Sequence, residues 1–446
     1  MNTSFAVIGA VGGCALLLSS SSVGAADDRC PERAQAVLAA LDAGEFEQAR
    51  ADFNPKMRDA LSAEKLGEIW QTLPKQVGER LGTGPARVSS GEQGTNVVLP
   101  LQHAKAWLDL SVSCNQEGQL SGLWIRPGTA PAAAAVEQSE RWTERAVTVS
   151  SGDIKLPGLL TLPKGEPPIA GVVLVHGSGA HDRDETIGPN KPFRDLAHGL
   201  AEQRIAVLRY DKRSQVDPGS FAGKSFTVRE EVVDDAAAAL ALLAAQAELA
   251  DRPVYVLGHS LGAMLAPRIA ATQPVAGMIL LAAPARGLTE IIPQQMNYIA
   301  QLDGSVSAEE AAGIAQMQAT LDQIDALTAA DRDEPALLMG APAAYWLDLQ
   351  DYQAIDAARE LKLPILLLQG ERDYQVTMDD DYRRWTHAFK ADPLFRSQSF
   401  AGLSHLFMPA GPVPGPADYE QAGHVDAAVV KAIAEWVQQH TETKNP

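Results

Sequence analysis

Three residues of the chain have the types and the order from which an activated nucleophile can be assembled. The run Gly258-His259-Ser260-Leu261-Gly262 stands between an apolar stretch, Val254 to Leu257, and a helical pattern, Ala263 to Ala271. Strand, serine, helix is the context in which a chain turns sharply at the serine and exposes its hydroxyl above a sheet, and glycine on either side leaves room for strand and helix to pass closely. A serine hydroxyl is a poor nucleophile at neutral pH. It needs a base within hydrogen-bond reach and a further group that fixes the tautomer of that base. Downstream, Asp373 follows the apolar run Pro364 to Gln369 and the turn Gly370-Glu371-Arg372, while His405 ends Gly402-Leu403-Ser404-His405 after another short strand pattern. The expectation is Ser260 as nucleophile, His405 as general base and Asp373 as the acid that orients the histidine. Taken singly, Asp373 reads as a loop cap and His405 as a surface histidine; their order and their places at strand ends make them a set. Glu371 and the run Asp379-Asp380-Asp381 are rival acids, the aspartates reading as a solvated helix start where carboxylates oppose the helix dipole favourably.

Acyl transfer also needs backbone N–H groups aimed at the developing oxyanion, each worth roughly 2.7–4 kcal/mol. His176-Gly177-Ser178-Gly179 leaves the apolar run Val172 to Val175 in a position to supply one, so the N–H groups of Ser178 and Leu261 are the expected donors. His176, His259, Tyr345 and Trp346 are candidates for the substrate pocket. His259 also fits a packing role or a bond to nearby backbone, and Tyr345, Trp346 and Tyr352 fit the packing of a cap. His387 receives no catalytic assignment. The loop His181 to Glu185 has enough oxygen and nitrogen ligands to raise a metal site, against the plainer reading of a loop tied down by Arg183 pairing with Asp182 or Asp184.

These residues require elements to carry them. Alanine and leucine recur at helical spacing from Pro31 to about Arg50, and Ser62 can cap a second helix running to Thr72. Thr95 to Leu101, Ala106 to Ser113 and Gln119 to Arg126 then read as strands of a small α+β domain over residues 27–126. Residues 127–144, with Pro127, Gly128, Pro131 and four alanines, have the composition of a linker. From 145 to 446 a hairpin-like pair, Arg145 to Ser150 and Gly158 to Leu162, precedes apolar runs that alternate with helical segments. Gly171 to Val175, Ile205 to Tyr210, Pro253 to Leu257, Gly277 to Leu281 and Pro364 to Gln369 read as buried parallel strands of a doubly wound α/β sheet. Alternation stops between about 286 and 359, where a mostly helical segment reads as an inserted cap.

The whole chain bounds what this machinery serves. Its 446 residues exceed one ordinary core. A net charge of -19 with no basic stripe excludes a nucleic-acid surface; Arg209, Lys212 and Arg213 read as a loop with local ion pairs. Phe5 to Leu18 followed by Val23-Gly24-Ala25-Ala26 reads as a signal peptide over residues 1–26, implying a periplasmic or extracellular destination, with lipoprotein anchoring at Cys14 as the alternative. No other run approaches the roughly 18 apolar residues of a membrane span. Export would leave Cys30 and Cys114 in an oxidising compartment, where a disulfide between them or two buried free thiols are the open readings.

Residues from about 145 onward resemble the bacterial α/β-hydrolase esterases related to dienelactone hydrolase. The resemblance rests on Val175-His176-Gly177-Ser178-Gly179, Asp182-Arg183-Asp184-Glu185, Asn190-Lys191-Pro192-Phe193 and Leu208-Arg209-Tyr210-Asp211-Lys212-Arg213, which look like a segment typical of a secreted carboxylesterase subgroup. Gly258 to Gly262, Gly370 to Val376 and Gly402 to His405 match its triad blocks, and serine, aspartate, histidine is the chain order of that fold. Residues from about 31 to 126 resemble a domain of unknown function found in front of such hydrolases. The resemblance implies hydrolysis of small-molecule carboxylic esters, especially those of short acyl chains, without metal or organic cofactor. Two other functions stay open: a serine peptidase or amidase using the same triad, and a secreted binding protein whose hydrolase fold is inert.

Overall fold

Strands covered on both faces should read as unbroken apolar runs, and strands covered on one face as alternating ones. Both kinds are present in the computed structural model, which describes residues 29–83, 86–91, 94–128, 136–216, 221, 224–334 and 337–442. The expected leader, the alternative anchor at Cys14 and the alanines of the expected linker lie outside the described residues.

The alternating kind builds the N-terminal part. Helices Cys30–Ala43, Phe46–Ala49, Pro55–Ala60 and Ala63–Val77 precede a five-stranded antiparallel sheet of Arg80–Thr83 (β1), Arg87–Gly91 (β2), Gly94–His103 (β3), Trp107–Cys114 (β4) and Leu120–Gly128 (β5). Ser62 caps its helix by accepting from the Lys65 N–H. Every second residue of β4, namely Leu108, Leu110, Val112 and Cys114, is buried and joins Val37 and Leu41 of the first helix in one apolar cluster. β1 and β2 were not anticipated: both are short, with Gly82 and Thr83 in the first and Ser89, Ser90 and Gly91 in the second in place of an apolar alternation. They pair with opposite ends of β3.

Cys30, at the start of the first helix, and Cys114, at the end of β4, are joined by a disulfide with their Cα atoms 6.0 Å apart. It spans 84 residues, so it removes much freedom from the unfolded chain. Cys30→Ser with Cys114→Ser is expected to destabilise this part by about 2–5 kcal/mol. Urea unfolding followed by tryptophan fluorescence checks this; a midpoint that does not move would refute it.

The unbroken kind builds the centre of the larger part, with strands of mixed burial at its edges. Trp142–Ser151 (β6), Ile154–Pro163 (β7), Ala170–Val175 (β8), Ile205–Tyr210 (β9), Val254–His259 (β10) and Met278–Leu281 (β11) are followed by a minor pair, Leu337–Leu338 (β12) and Ala341–Pro342 (β13), and then by Ile365–Gly370 (β14) and Phe395–Phe400 (β15). The eight-stranded sheet has the order β15-β14-β11-β10-β8-β9-β7-β6, all parallel from β15 to β9, with the antiparallel hairpin β6-β7 at one edge. Val172 and Leu174 of β8 face an apolar layer formed with helices Pro192–Glu202 and Ala427–Glu442. Val173 and Val175 face the opposite layer, formed with Asp234–Ala244 and Leu261–Ala270.

From β8 the chain moves to β9 on one side and then returns to β10 on the other. A crevice opens beyond the strand ends where the order reverses in this way. Between β11 and β14 come helices Leu288–Ala300, Ala308–Asp325, Ala343–Gln350 and Ala354–Leu361. Ala354 and Ala358 of the last join the sheet-face layer, so that helix covers the crossover to β14. The first lies by the loop after β14: Gln295 Nε2 donates to the Gln375 carbonyl at 3.2 Å, and Tyr298 stacks on Tyr374 with centroids 5.4 Å apart.

Candidate active site

β10 ends at His259 and the next helix begins at Leu261, so Ser260 alone makes the turn, with φ 52° and ψ −118°. A non-glycine residue in that region carries strain of order 1–3 kcal/mol. The fold holds it there: Ser260 N–H donates to the Leu281 carbonyl at 2.9 Å, and its own carbonyl accepts from Met264 N–H at 3.0 Å. A Cβ at Gly258 would lie 2.2 Å from the Gly262 carbonyl oxygen, and one at Gly262 would lie 2.2 Å from that of Val175. Only glycine lets the helix approach so closely. Leu261 occupies the first helical position, where the N–H has no acceptor within its own helix.

The loop after β8 runs directly beside the serine, since a Cβ at Gly177 would be 3.3 Å from Ser260 Cβ. Gly177 N–H is already engaged, donating to Glu185 Oε1 at 2.7 Å, which leaves the N–H of the exposed Ser178 as the next along the loop. Lys212 Nζ donates to the carbonyls of Gly177 (3.0 Å) and Gly179 (2.9 Å) and pairs with Glu231 Oε1 at 3.0 Å. The Ser178 carbonyl accepts from His181 Nε2 at 2.8 Å. His176 lies behind the loop, buried, donating through Nε2 to the Asp182 carbonyl at 3.0 Å. Burial pushes its imidazole down to about 3, so it is neutral.

The charged motifs around this loop pair internally, with partners that local reading did not supply. Arg183 binds Asp211, through Nε at 2.8 Å and a terminal nitrogen at 2.6 Å, rather than Asp182 or Asp184. Asp182 instead closes its own turn, accepting from Thr186 N–H at 2.9 Å and Thr186 Oγ1 at 2.7 Å. Arg209 pairs with Glu144 and Asp184, and Arg213 with Asp235. Among the described residues, no group of three or more His, Cys, Asp or Glu side chains is arranged to hold a metal ion.

Asp373 and His405 are brought together. His405 Nδ1 donates to Asp373 Oδ2 at 2.7 Å, and both residues are buried. Asp373 is held on all sides: Oδ2 also accepts from Gln369 Nε2 at 3.0 Å, and Oδ1 accepts from the N–H groups of Gln375 (2.8 Å) and Val376 (3.0 Å). Glu371 is occupied elsewhere, accepting from Ser399 Oγ at 2.8 Å. The expectation of a solvated Asp379-Asp380-Asp381 run needs correcting at its end. Asp381 is fully buried and binds Arg286 at 2.7 Å, while Asp380 accepts from Gln294 Nε2 at 2.7 Å.

His259 is next to Ser260 but engaged. Its Nε2 donates to the His405 carbonyl at 3.0 Å, and its Nδ1 makes an ion-pair contact with Glu185 Oε2 at 2.9 Å. Burial opposes charge on this imidazole, but the Glu185 carboxylate outweighs it and raises the pKa above the usual value. Burial likewise opposes the Glu185 charge, and His259 overcomes it, holding the carboxyl down to about 2.

Tyr345 and Trp346 are buried in the packing of the inserted helices. Tyr345 OH donates to Glu231 Oε2 at 3.1 Å and Trp346 Nε1 to the Leu338 carbonyl at 2.9 Å. Trp346 also borders a cavity with Arg286, Leu349, Tyr352 and Met264, the last of which lies one helical turn after Ser260 in its helix. His387 is exposed on its helix. Sequence reasoning passed over Gln369 and Glu185. Gln369 carried a signal, a polar residue closing an otherwise apolar strand; Glu185 was visible only as a member of an acidic run.

An eight-stranded sheet in this order, with serine at the tight turn after its central strand, defines the class of α/β hydrolases. Residues 172–426 match the alpha/beta hydrolase family, and the chain belongs to it. Residues 34–123 match a family of proteins of unknown function, DUF3887. The chain is similar to Esterase EstD of Thermotoga maritima, with 34% identity over 404 residues, covering 89% of this chain and 92% of that one. Among solved structures it is similar to Est1E from Butyrivibrio proteoclasticus (17% identity, 67% of this chain and 99% of that one, TM-score 0.42). It is also similar to dienelactone hydrolase from Anabaena variabilis (18% identity, 67% and 99%, TM-score 0.40). The protein is a carboxylesterase-type hydrolase. No described helix is long and apolar enough to cross a membrane.

Proposed function

We propose that this hydrolase cleaves carboxylic esters of short acyl chains through an acyl-serine intermediate on Ser260, with His405 as base and Asp373 as its orienting acid. The observation that carries the reading is the 2.7 Å bond from His405 Nδ1 to Asp373 Oδ2, in a histidine whose carbonyl is bonded to His259, the chain neighbour of the strained Ser260. Because Nδ1 carries the donated proton, Nε2 is left as the acceptor that a base requires. Ser260 Oγ attacks the ester carbonyl carbon while its proton passes to Nε2 of His405. The N–H groups of Ser178 and Leu261 take the oxyanion. Collapse expels the alkoxide, which leaves as alcohol with the proton from His405. Water then gives a proton to the same nitrogen, attacks the acyl carbon and releases the acid, restoring Ser260.

The likeness to a protein named an esterase supports esters over amides. Export to the periplasm or beyond belongs to the same proposal; the leader composition supports it and the Cys30–Cys114 disulfide is compatible with it. A substrate panel tests the activity. Acetyl and butyryl p-nitrophenyl esters are expected to give kcat/KM values at least tenfold above the decanoyl ester, and aminoacyl anilides to be hydrolysed far more slowly. Predominant anilide cleavage would make the protein an amidase, and dominance of the long ester would remove the short-chain assignment.

A further inference from the structure

The mechanism above leaves one buried charged pair unused. Glu185 and His259 stand 1% and 5% exposed, beside a small cavity whose other walls include Phe193, Leu406 and Phe407. Each group uses one arm on its partner and the other on backbone. Glu185 Oε1 accepts Gly177 N–H at 2.7 Å, in the loop expected to bind the oxyanion, and His259 Nε2–H donates to the carbonyl of His405 at 3.0 Å. Between them, Oε2 and Nδ1 lie 2.9 Å apart, and neither atom has another hydrogen-bond partner. We infer that Glu185 and His259 are positioning residues, a single brace that fixes the oxyanion loop and the backbone of the catalytic histidine relative to each other and to Ser260. This rests on the triad proposed above.

The geometry suits the task. His259 is the chain neighbour of Ser260, so the brace runs from Gly177 through Glu185 to the elbow itself and on to His405. The two tethered backbone groups come from loops more than 200 residues apart, leaving strands that are not hydrogen-bonded to one another. In apolar surroundings an ion pair that also satisfies backbone groups resists reorganisation, which is the condition for donors to act on a developing charge without rearranging first. A misplacement of about 1 Å at such a site can lower the rate on the order of a hundredfold. The loss should fall on kcat, because the brace touches no substrate, and leave KM nearly unchanged.

Glutamine at position 185 can reproduce the bonds without the charge. Its carbonyl can accept from Gly177 N–H, and its amide can donate to Nδ1 of a neutral His259 that still donates through Nε2. Full-length Glu185→Ala, Glu185→Gln, His259→Ala, His259→Gln and Ser260→Ala are compared by kcat and KM on p-nitrophenyl acetate, with circular dichroism and Tm to establish folding. Glu185→Ala and His259→Ala are expected to lose about a hundredfold in kcat with KM within about threefold, while Glu185→Gln loses less than about tenfold. If the alanine variants do not fold, the glutamine variants decide. Glu185→Gln must then keep kcat within about tenfold, and His259→Gln, which lacks the Glu185 contact, must fall further. Folded alanine variants with undiminished kcat, losses confined to KM, or equal losses in Glu185→Gln and Glu185→Ala would each overturn the brace. Activity surviving Ser260→Ala would sink the triad instead, so the two failures are distinguishable.

Discussion

Ser260→Ala is expected to lower kcat on p-nitrophenyl acetate by a factor of about 10⁵–10⁶ and to abolish covalent labelling by a fluorophosphonate probe, with the fold intact. The size follows from the proposed mechanism, in which Ser260 Oγ is the only atom that becomes bonded to the acyl group: what remains is binding and oxyanion stabilisation, which together exceed the reaction in water by about 10³–10⁴. The substitution removes one oxygen from a half-buried side chain and preserves the bonds that hold the turn, since these run from the Ser260 backbone to Leu281 and Met264. Alanine meets the same strain at φ 52°, so Tm should change little. Ser178, exposed on the neighbouring loop, is the serine against which the experiment discriminates. Labelling that persists in Ser260→Ala and disappears in Ser178→Ala would move the nucleophile.

The second large effect is expected from Asp373→Asn, a loss of about 10⁴ in kcat with little change in stability. The asparagine carbonyl can keep the two backbone donors of Gln375 and Val376, which forces its amide nitrogen toward His405 Nδ1. An amide donates where the carboxylate accepted. His405 must then accept at Nδ1 and carry its proton on Nε2, the tautomer that cannot take a proton from the serine. The Gln369 amide, which now donates to Asp373 Oδ2, would face a second donor and reinforce the mismatch. Glu371→Gln is the control: its carboxylate serves Ser399, so kcat should stay within about twofold of the wild-type value. A collapse in that variant with retention in Asp373→Asn would exchange the two acids.

Much of the fold was legible because its strongest signals are local. Ile205 to Leu208 and Ile365 to Leu368 are apolar without alternation, and both became interior strands. The elbow was legible because its signal is contiguous in the chain: an apolar run, then glycine, serine and glycine at fixed spacing, then a helical pattern. β1 and β2 were missed because β3 supplies their hydrogen bonds, and nothing in Arg80 to Gly91 announces that edge. Charge partners were the least legible. Arg183 has carboxylates on either side in sequence, but the turn made by Asp182 directs its guanidinium to Asp211, 28 positions away. Tyr345 read as a pocket residue because aromatic rings suit both recognition and packing; its hydroxyl is committed to Glu231, 114 positions earlier.

β11 and β14 are hydrogen-bonded neighbours in register, Met278 opposite Ile365 through Leu281 opposite Leu368, although helices Leu288–Ala300, Ala308–Asp325 and Ala343–Gln350 intervene in sequence. The excursion leaves and rejoins the molecule at adjacent doorways, so its length is not dictated by the architecture beneath it. Lineages and engineers alike are free to trade this roof for another while the floor that carries Ser260 stays put, and diversification of substrate range should concentrate there.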